Sequence, residues 1–201
     1  MTTPAELLTF WYGHADPRLP PTADTGRWWR VDPAFDAEVR ARFSADLDAA
    51  AAGALDAWAD TATGALALTV LCDQLPRNVH RGSPLAFAWD GRARAAAARG
   101  RAAPASAAWD LDARTLLLLP LEHSEDLADQ EACVAAFDAL VAAAPPAQQD
   151  KARFYHRYAV EHRDIIARFG RFPHRNAALG RADTPDEAAW LAAGAPRFGQ
   201  G

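Results

Sequence analysis

At four helix starts the chain places a side-chain oxygen directly before a proline: Thr3-Pro4-Ala5-Glu6, Asp32-Pro33, Ser83-Pro84 and Thr184-Pro185-Asp186-Glu187. Each pair joins a capping side chain to a residue whose fixed φ suits the first turn of a helix. Glu6 and Glu187 stand three residues after their threonines, the spacing of a capping box. Leu7, Phe10 and Trp11 then follow the first start, and Phe35, Val39, Phe43 and Leu47 recur every four residues after the second. No alternating apolar–polar stretch of useful length competes with these signals. The expected fold is therefore all-α, about eight helices packed as antiparallel hairpins.

Composition points the same way. Half of the 201 residues are hydrophobic, but alanine supplies much of that half and favours helix because it loses no side-chain entropy there. Leu, nine Phe and seven Trp are left as the large anchors, enough for one domain spanning 1–201. Trp11, Trp28, Trp29, Trp58 and Trp89 are read mainly as core, with exposed aromatic contacts as the other possibility.

The remaining helices are placed by their breakers. Gly64 to Leu75 is apolar nearly all round and reads as a central helix; Pro120 separates Leu116–Leu119 from a long helix over Leu121 to Ala143. Pro145-Pro146 makes a turn, and a last long helix runs from Gln148 to Phe169, where Gly170 ends it. Stretches 13–31 and 100–112 read as loops. Arg77-Asn78 leads through Gly82 to Ser83-Pro84, and Arg175-Asn176 leads through Gly180 to Thr184-Pro185, a faint internal echo.

The charge balance narrows the partners. Net charge is −5, no basic stripe is present, and Lys151 is the only lysine, which argues against nucleic acid. The longest apolar run, Ala65 to Cys72, is far short of a membrane span, and the first residues lack a basic leader, so a cytoplasmic location is expected. Cys72 and Cys133 lie in apolar helical runs and read as buried thiols. Oligomeric state is not readable from these features.

Several polar residues sit where packing alone does not want them. His162 falls in the middle of a stripe formed by Tyr155, Tyr158, Ile165, Ile166 and Phe169. Gln130 shares a face with Leu127, Val134, Phe137 and Val141, and His123 lies two turns before it if that helix reaches back to Leu121. In His123-Ser124-Glu125-Asp126, capping by Ser124 accounts for the last three residues but not for the imidazole. Asp73 and Arg77 are four apart on the side of Leu66 and Val70, a costly buried pair unless hydrogen-bonded. Pro76 also frees carbonyls near Cys72, which Gln74, Arg77 or Asn78 could meet. Finally, Phe169–Asn176, with Arg181 beyond, presents Arg171, His174 and Arg175 on a stiff loop, suited either to an anion or to internal carboxylates.

Phe10-Trp11-Tyr12-Gly13, Trp28-Trp29, Leu71–Asn78 with Arg81-Gly82, and Pro120–Asp126 with Gln130 resemble a bacterial domain-of-unknown-function family, number 924. The resemblance continues through His162, Phe169–Asn176, Leu179-Gly180-Arg181 and Thr184. It covers nearly the whole chain in order. It implies an all-helical fold similar to the right-handed superhelices of tetratricopeptide repeats, and it brings no activity.

Three functions fit. The first is a helical binding module for an anionic small molecule or peptide carboxylate. Arg77, Arg81, Arg171 and Arg175 would supply charge, and Asp73, Gln74, Asn78, Gln130 and Asn176 would fix orientation. The second is an enzyme of hydrolase or lyase type, using His123, His162 or His174 with Glu125 or Asp126 as acid and base. No nucleophile motif accompanies them. No metal-ligand spacing appears either, so neither a metal nor another cofactor is expected. The third is an interlock of helices with function on the outer surface. The first is the expected function.

Overall fold

The computed structural model describes residues 1–199. Among these the chain is helical, with no strand, and its helix pairs are compatible with a helical superhelix. The proline starts behave as local chemistry requires. Helix α1 (Pro4–Tyr12) has Thr3 as its cap, with the full capping box to Glu6, and Asp32 caps α2 (Pro33–Ala51) through the N–H groups of Ala34 and Phe35. Ser83 differs: it caps only a 3-10 turn, Pro84–Phe87.

The central segment departs from a regular helix. Thr61 caps α3 (Ala62–Thr69), but Val70–Gln74 forms a π-helical turn, closed by Leu75 N–H on the Val70 carbonyl, before α4 (Leu75–Val79) resumes. Pro76 accounts for the widening. It has no N–H for the carbonyl four residues back, so the chain takes an extra residue into that turn. Arg77 Nη1 donates to the Asp73 carbonyl within this turn at 2.6 Å. Gly64 lets α3 start against the preceding 3-10 turn, for an added Cβ would lie 2.0 Å from the Trp58 carbonyl oxygen.

After α5 (Asp90–Ala102) and α6 (Leu111–Leu116) comes a second departure from expectation. Pro120 starts a helix instead of breaking one: α7 (Leu119–Glu122) is a separate short helix, and α8 runs only over Leu127–Ala143. The cap of α8 is Asp126, whose side chain accepts from Ala128 N–H, and Ser124 Oγ instead accepts from Asp126 N–H. His123 and Gln130 are thus not on one helix, and Leu127 is exposed. Helix α9 (Gln149–Phe169) pairs with α8 across the Pro145-Pro146 turn and ends at Gly170, whose φ of 68° is the left-handed cap that glycine favours. Helices α10 (Asn176–Leu179) and α11 (Pro185–Ala192) are the last among the described residues, α11 with the expected capping box from Thr184 to Glu187.

The main core gathers α1 to α7. Trp11 and Trp28 stack at 5.7 Å, Trp28 Nε1 donates to the Trp11 carbonyl, and Trp89 Nε1 donates to Leu47. Trp11, Trp28 and Trp89 are buried, Trp58 is partly so, and Trp29 stands 43% exposed. A second core, around Cys133, Phe137 and Tyr155, joins α8 to α9. Cys72 and Cys133 are both buried and unpaired in disulfides, and burial pushes the Cys72 thiol up to about 12. A third, small core of Ile165, Ile166 and Phe172 fastens the C-terminal segment. No described helix is long and apolar enough to cross a membrane.

Candidate functional site

Where the first two cores meet, the helices leave a cavity of about 380 Å³. The π turn and α4 supply Gln74, Arg77 and Asn78; Arg81 follows from the turn after them. The end of α7 supplies Glu122 and His123, and α9 supplies Phe154, Tyr155, Tyr158, Glu161 and His162. Trp29 and the segment Pro196–Gly199 close the rest. One side is thus aromatic and the other carries guanidinium and amide groups.

At the cavity floor lies a carboxylate–imidazole pair. His123 Nδ1 is 2.8 Å from Asp73 Oδ1 and 3.1 Å from Oδ2, and Asp73 is fully buried. Gln74 Nε2 donates to Asp73 Oδ2 at 2.5 Å, and Arg77 Nη2 lies 3.6 Å from Oδ1. Burial alone would raise the Asp73 carboxyl, but His123 and Arg77 outweigh it and hold the group at about 2. Burial, then the Arg77 charge, pushes the His123 imidazole down despite Asp73. At neutral pH the pair is therefore a carboxylate accepting from a neutral imidazole, with the proton on Nδ1 and a lone pair on Nε2.

Beside it, Glu122 is pushed up to about 8, first by burial and then by the Asp73 and Glu161 charges. It is a neutral carboxylic acid at pH 7. Its Oε1 is 3.4 Å from His162 Nδ1, whose N–H donates to the Tyr158 carbonyl at 2.8 Å. Burial and the neighbouring His123 hold His162 well below the ordinary histidine range. Its ring lies 4.0 Å from that of Phe198.

The arginines divide sharply. Arg81 forks onto Asp36, Nε to Oδ2 at 3.0 Å and Nη2 to Oδ1 at 3.1 Å, and donates by Nη1 to the Gly199 carbonyl. Asn78 shares that carboxylate at 2.8 Å. Arg77 also binds Asp90, at 3.0 Å. Arg175 is buried, donates to the His123 carbonyl at 3.0 Å and lies over the rings of Phe172 and Phe87. Burial and Arg77 bring it down to about 10.

The other expected residues stand away from the cavity. Arg171 forks onto Glu187 with two bonds of 2.7 Å. Asn176 donates to Asp183, and Arg181 forks onto Glu125, which also accepts from Phe172 N–H. Asp126 is spent as a cap, and Gln130 donates to the Glu122 and Ser124 carbonyls, closing the end of α7. His174 is buried between Phe172 and Phe198 and is pushed down to about 3, chiefly by burial.

Sequence reading missed four contributors: Glu122, Asp36, the aromatic wall and Phe198. Glu122 had a signal, since a carboxylate directly after Leu116–Leu121 has no apolar reason to be there. Among the described residues no group of three or more His, Cys, Asp or Glu is placed to hold a metal ion.

Comparison with known proteins agrees with the resemblance drawn from the motifs. The model of a family described as "Bacterial protein of unknown function (DUF924)" matches residues 7–195. A solved structure, that of the protein of unknown function ATU0120 from Agrobacterium tumefaciens, is similar with a TM-score of 0.79 at 36% identity. The alignment covers 94% of this chain and 96% of that one. No curated protein matches.

Proposed function

The chain belongs to the bacterial protein family DUF924, and for this member we propose a binding function: its cavity takes an amphiphilic small anion. The occupant has an aromatic or branched apolar part and a carboxylate, either a small metabolite or the end of a peptide. The observation that carries this reading is the two-sided lining of one cavity of about 380 Å³. That volume lies at the small end of the range for small-molecule sites, which are mostly apolar with a few placed polar groups. Phe154, Tyr155, Tyr158 and Trp29 receive the apolar part, and Arg81 and Asn78 receive the carboxylate.

Arg81 already holds one oxygen, the Gly199 carbonyl. A carboxylate in that place accepts the same N–H with a full charge behind it, and charge-assisted bonds are roughly twice as strong as neutral ones. Asp36 keeps Arg81 pointed without using Nη1. A tetratricopeptide-like superhelix, whose inner face is concave, suits such a role.

Calorimetry with phenylacetate and its uncharged amide tests the charge requirement. The acid is expected to bind about tenfold more tightly, and Arg81→Gln to remove that preference. Equal affinity for acid and amide, or an unaltered preference in Arg81→Gln, overturns the assignment of the carboxylate to Arg81.

A further inference from the structure

The floor of the cavity contains more than binding an anion requires. Two groups of opposite proton affinity stand next to each other at the end of α7, and both line the same space. His123 is oriented by a buried carboxylate 2.8 Å from its Nδ1, and its Nε2 makes no hydrogen bond with a described residue. The carboxyl group of Glu122, a residue 5% exposed, has no approach closer than 3.4 Å, to His162 Nδ1. Neither atom is spent on a close partner among the described residues.

We propose that His123 and Glu122 are an acid–base pair that enolises a carbonyl compound bound in the cavity, with Asp73 as the positioning residue. This deepens the binding reading and rests on it: the substrate class is the same amphiphilic anion carrying a carbonyl beside its carboxylate, an aryl- or alkyl-substituted 2-oxo acid. His123 Nε2 takes a proton from the carbon next to the carbonyl. The electron pair of the broken C–H bond becomes the C=C bond of the enol, and the carbonyl π pair takes the Glu122 proton. The products are an enol, a Glu122 carboxylate and a His123 imidazolium that Asp73 steadies. Return of both protons completes the cycle, and no oxidant or further reactant is needed.

Two principles support this division of labour. A neutral carboxylic acid in an apolar site donates to a developing enolate oxygen better than water does. An imidazole fixed by a carboxylate presents its free nitrogen in one tautomer and one direction. Raised Glu122 and lowered His123 together keep both groups neutral at pH 7, the state that the step requires. The charged or titratable neighbours are Asp73 and Arg77 from the central segment, Cys133 from α8, Glu161 and His162 from α9, and His174 and Arg175 from the segment beyond it.

The test is proton–deuterium exchange at C3, the carbon next to the carbonyl, of phenylpyruvate and 2-oxoisocaproate, followed by NMR in D2O, with calorimetry on the same compounds. Exchange above the buffer rate is expected, with a rate that falls above pH about 8 as Glu122 ionises and falls again in acid as His123 gains a proton. His123→Gln should lower the rate about 100-fold or more while leaving the affinity within a few-fold. Glu122→Gln should remove the alkaline fall. Asp73→Asn should slow exchange, and nitrogen NMR should show the His123 proton no longer confined to Nδ1. If either compound binds but exchanges no faster than in buffer, or at the same rate in His123→Gln, the acid–base assignment is overturned and the binding reading stands. If neither binds, both fall.

Discussion

Arg77-Asn78 and Arg175-Asn176 are the same two residues, each followed within a few positions by a left-handed glycine, Gly82 or Gly180, and by an arginine beside it. At the first corner Asn78 and Arg81 share Asp36, and both still line the cavity. At the second, Asn176 and Arg181 are held by Asp183 and Glu125, and neither reaches the cavity. The carboxylates decide the difference. Asp36 holds Arg81 from one side and leaves Nη1 to the cavity, with a carbonyl in it. Glu125 takes both ends of Arg181, while Nε goes to Asn176. An arginine's partner geometry, not its presence in a motif, separates a recognition group from a clamp.

The largest effect should come from opening the clamp. Glu125→Ala removes the Arg181 fork and leaves Phe172 N–H without its acceptor, a loss of about 3 kcal/mol on denaturant unfolding. Asp36→Ala should cost about half as much, because Arg81 and Asn78 can turn to water in the cavity. Equal losses would erase the distinction between the corners.

Next in size is the pH response of the floor between them. Glu122 binds its proton more tightly folded than unfolded, so its contribution is full below its ordinary value of 4.5 and is lost as pH rises through about 8. Glu122→Gln should remove that slope and stabilise the protein by roughly 2 kcal/mol at pH 8.5 relative to the parent. A parallel pair of unfolding curves from pH 5 to 9 would refute it.

The smallest effect should appear in acid. Glu187 is held down at about 2, first by its bonds to Arg171, and Glu125 is lowered by Arg181 and Phe172 N–H against the opposing pull of burial. Depressed carboxyls stabilise above 4.5 and lose that contribution as pH falls toward 2. Amide exchange at Phe172 and Thr184 should therefore rise earlier on acidification than at helix α4. Simultaneous loss at both corners would count against separate clamps.

Local chemistry was legible and tertiary chemistry was not. Thr3, Asp32, Thr184 and Gly170 each cap the helix that the sequence assigned them, because a cap is settled within four residues. The expected helix from Leu121 failed because Pro120 reads as a breaker or a starter, depending on what the chain before it does. The periodic stripe predicts the inward face of α9, yet Tyr158 in it is 42% exposed, since periodicity marks a face without saying whether core or cavity lies opposite. The sequence marks His123 and Gln74 separately, but their meeting at Asp73 spans 50 residues in the case of the histidine. Phe198 lies beyond any helix, and no periodic signal touches it.

The π turn at Val70–Gln74 has one more consequence. An α-helix advances about 100° per residue, so one residue absorbed into a wider turn rotates everything beyond it by roughly that angle. Helices α3 and α4 are continuous through the π turn but do not share a reading frame. A helical wheel drawn straight from Gly64 to Val79 misplaces Asn78, and deleting Val70, Leu71 or Cys72 would shift the frame. The helix would then be more regular, but Gln74, Arg77 and Asn78 would be carried around it together.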